Sequence, residues 1–347
     1  MVLQSTTYPR APRHSWLGKI AEGAKDLQES VALLVSGSLF LHQEKQALKL
    51  ETQVPPLADV PNVVLNRPLV ICPGWNTELH KFDFLANKLL ASGQNGEGAV
   101  YLKEGHSFRD PECTVALDQI PKNSKLFINI WDSQKSAPEV TAPQLKQNLE
   151  LLHEALGPES VDMVGYSMGG LASRKYLNDG GSDVHNYMML GTPNNGTRFG
   201  QMSARVIDKK IDWVLKFSGL TPQDSGAMKW LAAGSPAIEE LNRGLPEQLA
   251  RVNKALVVGG NTLATPALGW IPFKPGDSMV EADRLALPGV ETHVLTGTGL
   301  LNHVTLPHDS QVYREMQEFF EFTPVEGTCA ALVKPASPHD GTPYSLI

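Results

Sequence analysis

Short apolar stretches alternate with amphipathic ones through most of the chain. One apolar run, Leu69 to Cys72, ends at Pro73 and Gly74, and the next stretch, "ELHKFDFLANKLLASG", has apolar residues at helical spacing and stops at a glycine. Further strands are predicted in "KLFINIWD", "SVDMVGYS", "NYMMLGTP", "KALVVGGNT" and "VETHVLTG", and further helices in "APQLKQNLELLHEAL", "MGGLASRKYLND" and "DSQVYREMQEFFEF". Because parallel strands need crossover connections, this order predicts an α/β fold with a mostly parallel central sheet and helices on both faces.

The pattern divides the chain into three parts. Residues 1–61 contain an amphipathic helix that includes "VALLVSGSLFL", a strand-like stretch "ALKLETQV" and a proline-containing connector. Residues 62–322 carry the alternating body, and residues 323–347 have no periodicity and are predicted to be an irregular tail. The apolar run of the first helix is about half the ~20 residues that a membrane span requires. We therefore expect this helix to pack on the core, with docking on a membrane surface as the alternative.

The strand pattern disappears inside the body, between residues 197 and 250. Two helical stretches replace it, "VIDKKIDWVLKFSGL" and "SGAMKWLAAGSPAIEELNRG". We expect this insertion to form a helical cap over the carboxyl ends of the strands.

Composition and charge narrow the possible functions. The 347 residues are 41% hydrophobic and 19% charged, as in ordinary globular proteins. With a formal net charge of -7, the chain lacks the excess of Lys and Arg that binding to phosphate groups requires. Nucleic acid is therefore not expected as a partner. Three cysteines at unrelated spacings suggest neither a disulfide framework nor a zinc site. The N-terminal segment does not have the pattern of a signal peptide, and a cytoplasmic location is expected.

One segment of the body, "VDMVGYSMGGLASRKYL", places Ser167 between Gly165 and Gly169. Glycines on both sides permit a tight strand-to-helix turn that exposes the serine at the carboxyl end of the strand. The predicted strand before Ser167 and the predicted helix after it are the surroundings that this motif requires. We interpret Ser167 as a nucleophile in a nucleophile elbow, and a purely structural turn is the alternative.

A nucleophilic serine needs an imidazole to accept its proton. In this architecture the acid and then the histidine follow the serine along the chain. Four histidines follow the resumed sheet pattern: His293 lies inside a predicted strand and His339 lies in the tail, whereas His303 and His308 lie in or beside the loop before the last helix. His303 is predicted to be the base, with His308 as its main rival.

The imidazole in turn needs a carboxylate, and "PFKPGDSMVEADRLALPG" stands between the two late strands. Asp277 follows Pro-Gly in a turn at the carboxyl end of the preceding strand, and it is predicted to be the acid. Asp283 is the next candidate. Glu281, and Asp283 if it is not the acid, fall in the segment that leaves the site and are expected to be solvated or to belong to the cap.

Acyl transfer also needs hydrogen-bond donors for the oxyanion. One donor is expected from the backbone N–H of Met168, the residue after the nucleophile, and the second from the loop after an early strand. In "CPGWNT", Gly74 permits a tight turn that can present the amide of Trp75. The alternative is a plain Pro-Gly turn.

These motifs resemble those of the α/β-hydrolase superfamily, and within it the bacterial triacylglycerol lipases and esterases. The likeness runs from about Pro68 to Phe320 and is carried by "VDMVGYSMGGLASRKYL", "MMLGTPNNGTRFG", "LAAGSPAIEELN", "GDSMV" and "LNHVTLPHDSQVYREMQEFF". The resemblance implies the α/β-hydrolase fold and a serine carboxylic-ester hydrolase that acts on acyl esters, lipids in particular, through an acyl-enzyme.

The sequence departs from that family at two places. The family usually has His-Gly where this chain has Pro73-Gly74. Some secreted members bind calcium through an aspartate close behind the catalytic histidine, whereas Thr305 stands two residues after His303 here. No metal and no other cofactor is therefore expected.

The substrate is predicted only as a class. Several apolar residues are candidates for an acyl pocket, or for ordinary packing: Tyr166, Trp213, Leu215, Phe217, Met228 and Trp230. Phospholipase, thioesterase and acyltransferase activities would use the same triad, and a noncatalytic hydrolase-fold binding module is a further alternative. The expected partner is an acyl-ester or lipid substrate, and no obligate protein partner is indicated.

Overall fold

The structure of the protein is a computed structural model. It describes residues 60–325 except 158–159, 211–219, 262, 267–272 and 298, together with positions 45, 49 and 57. The helix predicted around "VALLVSGSLFL" lies outside the described residues. Lys49, within the stretch predicted to be a strand, is helical, so the strand prediction is wrong at that position.

The centre of the described fold is an eight-stranded sheet in the order β11-β8-β7-β6-β2-β5-β3-β4. All neighbours in it pair in parallel except β3 and β4, which are antiparallel. The described strands are β1 (Val63–Val64), β2 (Leu69–Cys72), β3 (Val100–Lys103), β4 (His106–Phe108), β5 (Leu126–Asn129), β6 (Val161–Tyr166), β7 (Val184–Leu190), β8 (Lys254–Gly260), β9 (Leu263–Pro266), β10 (Phe273–Gly276), β11 (Glu291–Leu295) and β12 (Thr323–Pro324).

Helices lie on both faces of this sheet. The described α-helices are α1 (Asp83–Leu90), α2 (Pro138–Leu156), α3 (Met168–Asn178), α4 (Arg198–Asp208), α5 (Ser225–Leu231), α6 (Pro236–Arg243), α7 (Leu245–Leu249) and α8 (Ser310–Phe319). Buried side chains of β2 alternate between two cores: Leu69 and Ile71 join the core that α1 and α8 cover, whereas Val70 and Cys72 join the core that α2 and α3 cover. Burial on both faces explains why Leu69–Cys72 is an uninterrupted apolar run.

The predicted mostly parallel sheet with helices on both faces is confirmed, and six strands were not predicted. The unpredicted strands are β1, β3, β4, β9, β10 and β12. Thr323–Pro324 pairs antiparallel with Val63–Val64, so the tail is not irregular at its first two residues. Within the described residues, no helix combines the length and apolar character that crossing a membrane requires.

The predicted insertion is helical where it is described. It contains α4, a 3-10 turn at Pro222–Asp224, and then α5 to α7. An apolar cluster joins these elements to α3, since Met168 and Leu171 of α3 pack with Met202, Met228 and Trp230. The insertion therefore packs on the helix that follows Ser167.

Candidate active site

Ser167 occupies the turn between β6 and α3 with a φ of 53° and a ψ of -128°. A positive φ is costly for a residue with a Cβ and persists only where the surroundings impose it. The two flanking glycines explain how the chain makes this turn. A Cβ on Gly165 would stand 2.5 Å from the Cα of Gly170, and one on Gly169 would stand 2.1 Å from the carbonyl oxygen of Cys72. Both positions therefore exclude side chains, as the elbow predicted from the sequence requires.

His303 lies between the serine and a carboxylate. Its Nε2 is 2.9 Å from Ser167 Oγ, and its Nδ1 is 2.7 Å from Asp277 Oδ2. Asp277 is 1% exposed and His303 6%, so water screens their interaction little. The structure thus brings together the three side chains that the sequence predicted as nucleophile, base and acid.

The loops that carry the acid and the histidine are bonded to each other. The His303 amide donates to the carbonyl oxygen of Asp277 at 2.7 Å. Asp277 Oδ1 accepts the amides of Met279 and Val280 at 3.0 and 2.8 Å, which leaves Oδ2 for the imidazole. Asp277 therefore accepts hydrogen bonds on both carboxylate oxygens and has a fixed orientation.

Tyr166 lies under the imidazole, and the prediction that it lines a substrate pocket is not supported. Its hydroxyl donates to the carbonyl oxygen of His303 at 2.6 Å, and its ring stacks on the His303 ring at 5.5 Å between centroids. Only 4% of Tyr166 is exposed, and Phe82 packs edge-on against it. Tyr166, the last residue of β6, lies in the core that α1 and α8 cover and supports His303 from there.

The rival candidates lie away from Ser167. His308 Nε2 bonds the carbonyl oxygen of Lys81, and Asp283 forms an exposed ion pair with Lys274. His293 of β11 lies between Glu291 and Glu315, whose hydrogen bonds raise its pKa to about 9. His339 lies outside the described residues.

Glu281 differs from the sequence interpretation. It was interpreted as solvated or belonging to the cap, but it is fully buried between Arg198 and Arg284 at N–O distances of 3.7 and 3.6 Å. Burial raises its pKa, although the two arginines oppose this shift. Glu281 links the first residue of α4 to the segment after Asp277.

The loop after β2, residues 73–76, lies directly beside Ser167. Because the sequence predicts an oxyanion donor in it, we call it the oxyanion loop. A Cβ on Gly74 would stand 2.7 Å from Ser167 Cβ, so only glycine permits this approach. The amide of Met168 lies at the N-terminus of α3, where no intrahelical acceptor exists. Among the described residues, neither that amide nor the amide of Trp75 has a hydrogen-bond acceptor.

The thiol closest in sequence to this loop is not a rival nucleophile. Burial raises the pKa of Cys72 to about 12, against hydrogen bonds from Ser173 and Asn129 that lower it. The thiol therefore stays protonated at neutral pH, and the thiolate is the reactive form of cysteine.

The apolar residues predicted as an acyl pocket are only partly described. Trp230 is 5% exposed and Met228 fully buried, and both pack inside the cap cluster. Trp213, Leu215 and Phe217 lie outside the described residues. The described members therefore serve the packing of the cap, which was the alternative interpretation.

Two polar residues near the site were not predicted from the sequence. Asp224 of the cap accepts a hydrogen bond from the indole Nε1 of Trp75 at 3.0 Å. Arg174 of α3 is 1% exposed and bonds neutral acceptors on Asn194, Asn242 and Gln248. The only sequence signal for Asp224 was the pattern Thr-Pro-Gln-Asp, which is typical of a capped turn.

Comparisons with known proteins agree with this architecture. The model of a family described as alpha/beta hydrolase of unknown function (DUF915) matches residues 63–212. The crystal structure of the lin2722 gene product of Listeria innocua is 20% identical with a TM-score of 0.50, and the match covers 76% of this chain and 97% of that one. The mature lipase BlEst2 of Bacillus licheniformis is 16% identical with a TM-score of 0.50, over 76% of this chain and 95% of that one. No curated protein sequence matches significantly.

At these identities the similar structures show the fold alone. The parallel sheet, the turn that carries Ser167 and the family match at residues 63–212 point the same way. The chain therefore has the α/β-hydrolase fold.

Proposed function

We propose that this protein is a serine hydrolase of carboxylic esters that works through an acyl-enzyme. The observation that carries the proposal is the position of the His303 ring, with Nε2 2.9 Å from Ser167 Oγ and Nδ1 2.7 Å from Asp277 Oδ2. This arrangement supports a nucleophilic role for the serine, because the imidazole can take its proton while the carboxylate stabilises the imidazolium that forms.

The first half-reaction transfers the acyl group to the enzyme. Ser167 Oγ forms a bond to the ester carbonyl carbon, and its proton passes to His303 Nε2. The amides of Met168 and Trp75 stabilise the negative charge on the carbonyl oxygen. The carbon–oxygen bond to the alcohol then breaks, and the alcohol leaves with the proton from His303.

The second half-reaction returns the free enzyme. Water attacks the acyl carbon, and His303 Nε2 takes a proton from it. The bond to Ser167 Oγ then breaks, the serine regains the proton from His303, and the carboxylic acid leaves. Asp277 remains ionised throughout both steps.

For the substrate we propose an acyl ester with a long or otherwise apolar acyl group, as in lipids. The apolar cap beside Met168 supports this class, and so does the named lipase among the similar structures. Phospholipids, thioesters and transfer to an acceptor other than water would use the same residues, and the pocket alone would select among them.

The test is hydrolysis of p-nitrophenyl esters of increasing chain length, together with covalent labelling by a fluorophosphonate probe. Wild type is expected to hydrolyse the esters and to be labelled at Ser167. Ser167→Ala is expected to do neither. Ser182→Ala is the matched control, because Ser182 is exposed in the loop before β7, and it should behave as wild type.

The outcomes separate the hypotheses. A preference for long chains supports a lipid substrate, whereas a preference for acetate supports a short-chain esterase. Cleavage of a phospholipid or an acyl thioester faster than any of the esters favours those substrates. If folded wild type is neither active nor labelled, the hydrolase proposal is wrong and the binding-module alternative gains support.

A further inference from the structure

The oxyanion loop is fixed to the segment after β5, residues 131–137, at two of its four residues. The indole Nε1 of Trp131 donates to the carbonyl oxygen of Pro73 at 2.8 Å. The amide of Asn76 donates to the carbonyl oxygen of Gln134, also at 2.8 Å. Both bonds hold backbone atoms, and neither involves Trp75, whose amide is the proposed second oxyanion donor.

Trp75 is instead fixed through its side chain, and its partner lies in the cap. Its indole packs against the cap cluster, and Nε1 donates to Asp224 Oδ1 at 3.0 Å. Asp224 is fully buried at the end of the 3-10 turn Pro222–Asp224. A packed ring with its one polar atom bonded has a single orientation, so the backbone that carries it is restrained as well.

The second carboxylate oxygen of Asp224 is also fully used. Oδ2 accepts Lys135 Nζ at 3.0 Å, and the amide and hydroxyl of Thr221 at 2.7 Å each. Burial raises the pKa of Asp224, but the bonds from Thr221 and Lys135 outweigh it and hold the pKa below its usual value. The carboxylate is therefore charged at neutral pH.

Asp224 thus joins three separate parts of the site. Lys135 belongs to the segment after β5, Trp75 belongs to the oxyanion loop, and Asp224 with Thr221 belongs to the cap. The same segment after β5 supplies the other two bonds to the oxyanion loop. The cap therefore completes a set of restraints on the loop that the sheet domain provides only in part.

We propose that Asp224 is a positioning residue of the reaction: through the Trp75 indole it fixes the backbone amide of Trp75 in the direction of the developing oxyanion. This proposal rests on the proposed function, because it assigns the cap a part in that same acyl transfer. The cap then contributes to the rate of the chemical step as well as to substrate binding.

A bond that orients an oxyanion donor acts mainly in the transition state, where the charge on the oxygen is largest. Its loss should lower kcat and leave KM nearly unchanged. A cap residue that only shaped the substrate pocket would do the reverse, since uniform loss of binding raises KM. Comparing the changes in kcat and in KM therefore distinguishes a positioning role of Asp224 from a role in cap packing alone.

The experiment uses Trp75→Phe, Asp224→Asn and the double variant, all in the full chain. Trp75→Phe keeps an aromatic ring in the cluster and removes only the donor. Asp224→Asn keeps the shape, and its amide oxygen is expected to face the three donors at the Oδ2 position, so its NH₂ group faces the indole N–H and the bond to Trp75 is lost. Circular dichroism and thermal unfolding show whether each variant is folded.

Two further variants serve as comparisons. Asp208→Asn removes an exposed ion pair with Lys229 on the cap and should retain wild-type kcat. Lys135→Met removes one donor from Oδ2 and leaves the indole bond in place, so its loss of kcat should be smaller than that of Trp75→Phe.

The expected result is a fall in kcat of about tenfold for Trp75→Phe and for Asp224→Asn, with KM within about twofold of wild type. The double variant should be no slower than the slower single variant, because both changes remove one bond. A fall in the labelling rate by the fluorophosphonate should accompany the fall in kcat.

An effect on KM alone, additive losses in the double variant, or wild-type rates in both single variants would overturn the proposal. If Asp224→Asn does not fold, Trp75→Phe alone still decides between these outcomes. Failure of the hydrolase proposal is seen separately, since wild type itself would then be inactive and unlabelled at Ser167.

Discussion

The hydroxyl of Tyr166 donates a 2.6 Å hydrogen bond to the carbonyl oxygen of His303, so the residue before the candidate nucleophile holds the backbone of the candidate base. The two residues are separated by 137 positions in the chain. The Tyr166 ring stacks on one face of the imidazole, while Asp277 bonds the imidazole at its Nδ1 edge, so both restrict its orientation. Through Tyr166, strand β6 therefore fixes the nucleophile and the base together.

Tyr166→Phe should lower kcat by about three- to tenfold, because it keeps the stacked ring and leaves the buried carbonyl of His303 without its partner. A lost buried hydrogen bond costs about 1 kcal/mol of stability. Steady-state kinetics and urea unfolding measure the two effects. Tyr313→Phe is the matched control: its hydroxyl also bonds a backbone carbonyl, that of Pro61, but away from the site, so it should lose stability and retain kcat. Equal kcat in both variants would contradict the role of Tyr166.

Asp277→Asn should lower kcat by about 10⁴-fold with little change in fold, as expected when an amide replaces the orienting carboxylate of a triad. The amide oxygen can still accept the amides of Met279 and Val280, but its NH₂ group then faces the imidazole and favours the wrong tautomer. Asp283→Asn is the control, since Asp283 pairs with Lys274 at the surface. Loss of activity in Asp283→Asn with an active Asp277→Asn would reverse the assignment of the acid.

Gly169→Ala should abolish activity and labelling and lower the free energy of unfolding by about 3 kcal/mol or more, because overpacking against rigid backbone cannot relax cheaply. The added methyl group would lie 2.1 Å from the carbonyl oxygen of Cys72. It would push the turn that carries Ser167 away from the oxyanion loop. Gly98→Ala is the control, since a Cβ there meets no atom within 4 Å. Its stability should stay within about 0.5 kcal/mol of wild type. A stable, active Gly169→Ala would contradict this geometry.

Asp162→Asn should stabilise the protein at neutral pH and change its pH dependence. Burial raises the pKa of Asp162 to about 6, although the charge of Arg67 and bonds from Asn186 oppose the shift. The native state therefore binds more protons than the unfolded state between about pH 4 and pH 6, and stability falls as pH rises through this range.

The variant removes that dependence. Its free energy of unfolding should exceed that of wild type by about 3 kcal/mol at pH 8 and match it near pH 4. Urea unfolding between pH 4 and pH 8 measures both curves, with Asp118→Asn, an exposed position, as the control. Parallel curves for wild type and Asp162→Asn would show that Asp162 has no raised pKa.

The central part of the fold could be predicted from the sequence because its strands are buried on both faces. Leu69–Cys72 is an uninterrupted apolar run, and Val161–Tyr166 is mostly apolar apart from Asp162; such runs stand out in a chain. Two of the strands that were missed carry no such signal. His106–Phe108 has only three residues with one buried, and it is a strand because it forms a hairpin with the neighbouring Val100–Lys103. Thr323–Pro324 has two exposed residues, and it is a strand because it pairs with the distant Val63–Val64.

Residues of the candidate site could be predicted where a local motif or the order along the chain restricts which residues can fill a role. They could not be predicted where a contact between distant residues determines the role. The glycines around Ser167 specify the turn, and chain order restricts the acid and base to a few residues. The burial of Glu281 depends on Arg198, 83 positions away. The bond between Trp75 and Asp224 spans 149 positions. Such pairs leave no pattern in a single sequence.

The pairing of β1 with β12 places the two ends of the described hydrolase body side by side. Val63 lies opposite Pro324, and Val64 lies opposite Thr323, although nearly the whole body separates them in the chain. Adjacent ends allow a domain to be inserted into another protein or to be circularly permuted without disturbing its core. A short linker from residue 325 to residue 62, with new termini at the exposed Ser182, should therefore give a folded permutant. In this architecture the chain can enter and leave at one edge while the strands that carry Ser167, Asp277 and His303 stay intact.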